Sequence, residues 1–415
     1  MGKRFFKETI RDVDLRGRTV LVRVDYNVPL TSDGQISDDL RIRASLPTLR
    51  YLIEQNCKII VISHLGRPNG RQKKYSLAPV AAHLADVLGR PVRFVDDCVG
   101  DKVRQMVRYA RRGSVTVLEN LRFYAEEEAD DLTFARSIVK ATGAEYFVQD
   151  GFGVVHRAHA STHAITLCIP GVAGLLLEKE FMTITQVMQR PHHPLVAIFG
   201  GAKVSDKIGL IHRLMTKADT VLIGGAMANT FLRYKGYAIG ASKAETDQDA
   251  VLDEIYQKAV EKVGAAQVDE FLRLPSDVAI AREPRANSVR REVMVGEVES
   301  DMKMLDIGTQ TIEQFSEVIA SAKTVIWNGP LGYAESNTFA IGSARTAMAI
   351  AQNEKVTSIV GGGDTADFVL KWDGHDGASF THVSTGGGAS MELMAGKKLP
   401  GVESLLDAYG LGMVH

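Results

Sequence analysis

Two groups of residues in this chain have the types and spacing to do chemistry. In the first half, charged groups fall just beyond short apolar runs: Asp25 and Asn27 in VRVDYNVP, Arg41 and Arg43 in DLRIR, His64 and Arg67 in SHLGRP, Arg122 in LENLRFY, and His156, Arg157 and His159 in FGVVHRAH. Guanidinium groups take phosphate and carboxylate oxygens bidentately, so converging arginines with imidazoles describe a pocket for a small polyanion. Taken singly, each of these arginines is better explained by a solvated or salt-bridged surface. Four separate strand ends delivering Arg or His favour the pocket for the set. His156, His159 and His163 share helical spacing, but no acidic or thiol partner sits nearby in sequence, which argues against a metal trio.

The second half carries glycines at the equivalent places. IFGGAKVSDKI, LIGGAMANTF, VIWNGPLG, IVGGGDTADF and VSTGGGASMEL each read strand, glycine turn, helix, an arrangement that lets backbone amides and a positive helix end approach phosphate oxygens. One such loop is usually only a tight turn. Five of them point to a nucleotide. Neither the Walker spacing nor the G-x-G-x-x-G dinucleotide spacing is present. Lys203 and Lys207, one turn apart at the expected start of a helix, read as a phosphate-facing pair or as an exposed pair. Asp364, directly after a glycine run, suits Mg²⁺, which keeps its waters and takes few protein ligands, and it suits a helix N-cap as well. Glu335, just past NGPLG, either accepts hydrogen bonds from a ribose or faces solvent.

These residues need a scaffold of alternating strands and helices. Apolar runs predict strands over Thr19–Val24, Ile59–Ser63, Val115–Leu118, Tyr146–Val148, Leu195–Phe199, Thr220–Ile223, Val278–Ala281, Thr324–Trp327, Ser358–Val360 and His382–Ser384. Between them, apolar residues at three- and four-residue intervals predict helices such as Leu77–Leu88, Ser205–Met215, Asp249–Val263 and Phe339–Ala351. The pattern is that of α/β folds with mostly parallel sheets, whose ligands lie beyond the carboxyl ends of the strands. At 415 residues the chain exceeds what one core usually serves, which predicts two lobes with a cleft between them. The expected divisions are 1–174, a connector helix over 175–190, a second lobe over 191–398 and a tail over 399–415. Residues 282–300 are polar and weakly patterned and read as a surface excursion.

Lys+Arg 49 against Asp+Glu 50 gives a formal charge of -1, which removes the electrostatic footprint of a nucleic-acid or anionic-membrane binder. Cys57, Cys98 and Cys168 form no Cys-x-x-Cys pair and read as buried thiols. The N-terminus has neither an apolar leader nor a myristoylation pattern, which predicts a cytoplasmic address. The longest apolar run, 164–177, contains Pro170 and two glycines, is too short to span a membrane, and is expected to be buried between the lobes.

RVDYNVP, SHLGRP, LENLRF, DGFGVVHRAHAST, GGAKVSDKI, WNGPLG, GGGDTA and HVSTGGGASMELMAGKKLPGVESL, in this order and over nearly the whole chain, resemble the phosphoglycerate kinase family. The resemblance implies two Rossmann-like lobes and the glycolytic, reversible transfer of phosphate between MgATP and 3-phosphoglycerate, giving MgADP and 1,3-bisphosphoglycerate. By motif it assigns Asp25, Tyr26, Asn27, Arg41, His64, Leu65, Gly66, Arg67, Arg122 and Arg157 to phosphoglycerate. It assigns Lys203, Lys207, Gly224, Gly225, Asn328, Pro330, Glu335, Gly362, Gly363, Asp364 and Thr365 to the nucleotide, with Asp364 holding Mg²⁺. Arg41, Lys203 and the amides of Gly386, Gly387 and Gly388 are expected at the transferring group. It further implies a monomer whose tail packs back near the first lobe. Met304, where the family commonly has glycine, puts a bulky side chain near the expected adenine pocket. QDGFG, with Gln149 and Gly151, departs from the family's usual Asn-Asp-Ala-Phe-Gly, and Val154 and Val155 precede the retained Arg157. A nucleotide-linked oxidoreductase on the same framework would need a dinucleotide fingerprint, and a non-catalytic relative would be expected to lose Arg41, Lys203 or Asp364. The chain shows neither.

Overall fold

The computed structural model describes residues 4–31, 33–285 and 288–408. The chain divides into two compact units, Met1–Met182 with Lys398–His415, and Thr183–Lys397.

In the first unit, strands β1 (Thr19–Arg23), β2 (Lys58–Ile62), β3 (Val92–Val95), β4 (Val115–Leu118), β5 (Tyr146–Gln149) and β6 (Gly171–Ala173) form one parallel sheet in the order β3-β4-β2-β1-β5-β6. Successive strand residues face opposite sides, and Val20, Leu21 and Val22 are all fully buried, so both faces of β1 are covered. That is why the strands read as unbroken apolar runs. The helix Leu40–Glu54 follows β1 and buries Ile42, Leu46, Leu49 and Leu52 against this sheet's core.

The second unit has β7 (Leu195–Phe199), β8 (Thr220–Ile223), β9 (Leu272–Arg273), β10 (Asp277–Ala281), β11 (Arg291–Met294), β12 (Lys303–Ile307), β13 (Thr324–Asn328), β14 (Thr357–Gly361) and β15 (His382–Val383). Six of them make a parallel sheet, β15-β14-β13-β7-β8-β9, and the other three an antiparallel sheet, β11-β10-β12. Val325, Ile326 and Trp327 are buried in succession, the same two-sided cover as in β1.

The α/β class with parallel sheets stands, but several local readings change. Residues 282–300 hold β11, an edge strand exposed along most of its length, which leaves no alternation to read. Val278–Ala281 is a strand, but of the antiparallel sheet. The helix expected over Ser205–Met215 is a 3₁₀ turn, Ser205–Lys207, followed by a helix that starts only at Ile208. The 164–177 run is not uniformly buried: Leu167 is 68% exposed and Cys168 half-buried, while Gly171–Ala173 is the edge strand β6. Leu175–Gln189 is one helix, and the division between the units falls within it. The described tail residues belong to the first unit. Buried Lys7 there donates to the carbonyls of Glu403 and Leu405 and to Asp407.

Candidate active site

In the first unit the loops after β1, β2 and β4 meet through a chain of bonds. Arg41, in the first turn of Leu40–Glu54, donates Nη1 to Asp25 Oδ2 and to the carbonyl of Asn27, both at 3.0 Å. Asn27 Oδ1 accepts from Gly66 N at 2.8 Å, and the Gly66 carbonyl accepts from Arg122 Nη1 at 2.8 Å. Asp25, Asn27, Arg41, Gly66 and Arg122 are thus one connected group. Arg67 and Arg157 are exposed and close enough to Arg122 to repel its charge. Arg122 Nε is buried without a partner, a donor left for something else to satisfy. Leu65 and the ring of Tyr26 are buried, and the Tyr26 hydroxyl bonds Ser45 Oγ at 2.7 Å, inside the helix packing. Arg43 turns away to pair with Asp39.

Beneath this group lies a layer that sequence reasoning missed. Arg23, fully buried, donates Nε to Ser161 Oγ at 2.8 Å and sits 3.8 Å from Glu127. Glu127, also fully buried, accepts from Ser161 N and Oγ, and burial raises its pKa. Burial, and then the charges of Arg23, Arg122 and Arg41, hold His64 well below the usual imidazole range, so it is neutral at physiological pH. Burial and the same two guanidiniums of Arg23 and Arg122 take His159 down to about 4. Acidic partners absent from the local sequence therefore reach the histidines through space: Glu127 lies 4.0 Å from His159, and Asp130 Oδ2 accepts from His163 Nδ1 at 2.7 Å. His159 and His163 attend to different neighbours, and among the described residues no group of three His, Cys, Asp or Glu includes them as a metal site. Asn120 fixes the arginine loop by donating to the carbonyls of Leu65 and Tyr75 and accepting from Arg122 N.

In the second unit the glycine loops divide into two kinds. Gly200–Gly201, Gly224–Gly225 and Gly329–Leu331 pack backbone to backbone: Gly200 N donates to Asn328 O at 3.0 Å, Gly201 N to Pro330 O at 2.8 Å and Gly225 N to Leu331 O at 2.9 Å. At Gly329, with φ +103°, a Cβ would lie 2.2 Å from the Gly200 carbonyl, so no other residue fits. These glycines serve close approach. The other kind leaves helix ends open. The helices Gly363–Asp373 and Gly388–Met394 have Gly362 and Gly387 at their N-caps and no side-chain cap, and a Cβ on Gly387 would stand 3.8 Å from Gly363 N. By contrast, the helix Thr309–Ser321 also starts on a glycine, and there Asp277 accepts from Gln310 N and Thr311 N. Two adjacent uncapped N-termini are a place for an anion.

Lys207 is held beside them, donating Nζ to Gly200 O at 2.8 Å and Asn328 O at 3.1 Å. Burial takes its pKa down to about 8, against the pull of Asp364 and Asp206. Lys203 is exposed and precedes the 3₁₀ turn, so the two lysines are not a helical pair. The side chain of Asn328 is buried with both amide atoms unpartnered, beneath Gly361 and Gly362. Thr365 accepts from Gly329 N at 2.7 Å. Asp364 is exposed in the first turn of its helix and is not the cap, which is Gly362. Among the described residues no group of three His, Cys, Asp or Glu could hold a metal by itself. A lone carboxylate beside a polyphosphate still suits Mg²⁺.

A narrow pocket beside Gly225 is lined by Ala228, Pro275, Val278, Met304 and Leu331, with the buried carboxylate of Asp306 on its wall. Met304 belongs to the cluster of Leu232, Val278, Ile280 and Val298, so its bulk is mostly absorbed by the antiparallel sheet. Asp306, missed in the sequence, accepts from Arg290 Nη1 and Gly342 N, and burial raises its pKa to about 7. Glu335 is exposed.

The first group can bind anions through arginine, and the second can bind a polyphosphate through amides and lysine. Comparison with known proteins gives the family. The family model described as phosphoglycerate kinase matches residues 10–397. A phosphoglycerate kinase of Dictyoglomus turgidum is 48% identical over 96% of this chain and 98% of its own length, and that of Moorella thermoacetica is 46% identical over 97% and 99%. The solved phosphoglycerate kinase of Coxiella burnetii superposes with a TM-score of 0.80 at 33% identity, and that of Pyrococcus horikoshii with 0.80 at 30%, each covering 96% of this chain and 98% of the other.

Proposed function

This chain belongs to the phosphoglycerate kinase family, and from that premise we propose how its own residues divide the family's work. The reaction is phosphoryl transfer between ATP and the carboxylate of 3-phosphoglycerate. That carboxylate, with an ordinary pKa near ~4, is ionised at neutral pH and needs no general base. The neutral His64 fits such a role, as a hydrogen-bonding group rather than a proton acceptor. What remains is to align two polyanions and to neutralise charge on the moving group, work for Arg, Lys and oriented amides.

Phosphoglycerate binds on Arg41, Arg67, Arg122 and Arg157, with Asp25, Asn27, His64 and the 65–66 backbone shaping the loop. ATP or ADP binds on Lys207, the Asn328 amide, Thr365 and the open ends at Gly363 and Gly388, with its base toward Met304 and its ribose toward Glu335. Arg41, Lys203 and the amides of Gly386, Gly387 and Gly388 serve the transferring phosphoryl group, from which water is to be excluded. Asp364 would hold Mg²⁺, which supplies charge neutralisation to the phosphates when bound. The observation that carries this division is the pair of uncapped helix ends at Gly363 and Gly388 beside the half-buried Lys207 and the orphaned Asn328 amide. We take the working form to be a cytoplasmic monomer, the expectation that the family resemblance and the balanced charge support.

The test is ADP formation that depends on both 3-phosphoglycerate and Mg²⁺, together with Mg²⁺ titrations of nucleotide binding to Asp364→Asn. The variant is expected to need about tenfold more Mg²⁺ for the same nucleotide affinity. An unshifted titration removes the metal assignment, and folded protein without 3-phosphoglycerate-dependent turnover removes the reading as a whole.

A further inference from the structure

Lys203 is exposed, so its direction depends on the backbone either side of it. On the N-terminal side that backbone is tied to the 328–330 loop by the Gly200 and Gly201 bonds described above, and Gly201 O also accepts from Met227 N at 2.9 Å. On the C-terminal side the tie is a single carboxylate. Glu245 Oε2 accepts from Val204 N at 2.8 Å and from Ser205 N at 3.1 Å, and Oε1 accepts from the Ser205 hydroxyl. Glu245 comes from a loop some forty residues later that carries no recognisable motif.

That loop is itself fixed. Glu245 N donates to Thr230 Oγ1 at 3.0 Å, its carbonyl accepts from Arg233 Nη2, and Asn229 Nδ2 donates to Lys243 O at 3.0 Å. All three side chains belong to the helix Gly225–Tyr234, whose first residues line the nucleotide-side pocket and reach the Gly201 loop. One helix therefore holds the Lys203 segment at both ends, directly at Gly201 and through Glu245 at Val204 and Ser205. Without an anion there, two successive N–H groups at the start of the 205–207 turn would be open to a phosphate, a place that competes with Lys203 for the same oxygens.

We propose that Glu245 is a positioning residue for phosphoryl transfer: its carboxylate clamps the Val204–Ser205 backbone and so aims Lys203 at the transferring group. Partial burial works against its charge, but the bonds from Ser205 and Val204 and the nearby charge of Lys203 hold the carboxyl below its usual range, so the clamp is charged at neutral pH. The inference rests on the role given to Lys203 above, and the test separates the two.

Steady-state kinetics of Lys203→Ala, Glu245→Ala, Glu245→Gln and the Lys203→Ala/Glu245→Ala double variant read the coupling. Misplacing a charge-handling group by about an ångström costs on the order of 10- to 100-fold, so Glu245→Ala is expected to lower kcat by that factor, with KM for 3-phosphoglycerate within about threefold. Glu245→Gln, whose carbonyl oxygen can still accept from both amides, is expected to recover most of the loss. In the Lys203→Ala background, Glu245→Ala is expected to cost nothing more, because residues acting as one unit are not additive. A purely structural Glu245 would lower the unfolding midpoint and multiply with Lys203→Ala, and that result overturns the proposal. So does a Glu245→Ala enzyme with kcat within about twofold of the parent while Lys203→Ala is crippled. If Lys203→Ala itself keeps near-normal turnover, the Lys203 assignment falls first and the clamp with it. Should Glu245→Ala not fold, Glu245→Asp, one methylene short of the backbone, reads the same coupling.

Discussion

Lys207 Nζ donates to the backbone carbonyl of Asn328 at 3.1 Å, and through its second bond, to Gly200 O, it stitches the loops after β7 and β13 together. The folded pKa of about 8 lies below the ordinary 10.5, so between those values the unfolded chain holds the extra proton. This group's contribution to stability therefore rises with pH through that window. A bound polyphosphate favours the charged form. ATP binding is expected to take up a proton near pH 8, and affinity to fall as pH rises past it. Calorimetry in buffers of different ionisation enthalpy measures this, and Lys207→Met should abolish the proton uptake.

Arg67 and Arg122 should part company under truncation. Arg67 is exposed, whereas Arg122 holds the Gly66 carbonyl and pairs with Glu128 at 3.0 Å. Arg67→Ala is expected to raise KM for 3-phosphoglycerate about tenfold with an unchanged unfolding midpoint. Arg122→Ala should raise KM and also cost roughly 1–3 kcal/mol of stability, because a half-buried acceptor loses its donor. Kinetics paired with chemical denaturation distinguishes them.

The two kinds of glycine predict opposite effects. Gly329→Ala meets the Gly200 carbonyl in a left-handed backbone and is expected to cost about 2–4 kcal/mol. A Cβ on Gly363 meets nothing within 4 Å. Gly363→Ala should therefore leave stability unchanged while weakening nucleotide binding, since the added methyl stands at an open helix end. Thermal unfolding and nucleotide titration of the two variants test this pair.

Asp150 is fully buried after β5. It accepts from Thr48 Oγ1, on the helix that carries Arg41, and from Leu176 N, at the start of Leu175–Gln189. Burial raises its pKa to about 7, above the ordinary 3.8. The folded chain then holds the extra proton between those values, so this group's contribution is complete below about pH 4 and is lost as pH rises through 7. Asp150→Asn is neutral throughout. The difference in unfolding free energy should move in the variant's favour from pH 5 to pH 8. Parallel pH profiles would show that Asp150 is not the titrating group.

Met304→Ala removes a β12 side chain packed in the cluster of Leu232, Val278, Ile280 and Val298 and lining the pocket beside Gly225. It is expected to cost about 2 kcal/mol of stability, at the lower end for a truncated core residue because the site can partly collapse. The enlarged pocket should also narrow the discrimination between ATP and GTP, which competition binding measures.

The positions of the candidate residues, though not their roles, were legible along the chain. Arg41, Arg67, Arg122, Lys203 and Asp364 stand next to strand ends and glycine turns, and those signals need only a few consecutive residues. The long helix Leu175–Gln189 and the buried strands were legible for the same reason, since periodicity and unbroken apolar runs are written in order. Short or exposed elements such as β9 and β11 were not, because an edge strand with few buried side chains leaves no pattern.

What the linear order of residues determined is the parallel α/β architecture, the basic character of one half and the glycine character of the other, because each is set by local backbone preference and burial. Only the tertiary structure decided what holds those residues in place. Glu127 under Arg23, Asn120 against the Leu65 carbonyl, Asp277 capping a helix more than thirty residues on, and Glu245 against Val204 are all partners distant in sequence. A carboxylate looks alike in sequence whether it faces water or two buried amides. Its pKa, its partner and its role follow from what folding brings within about three ångströms of it.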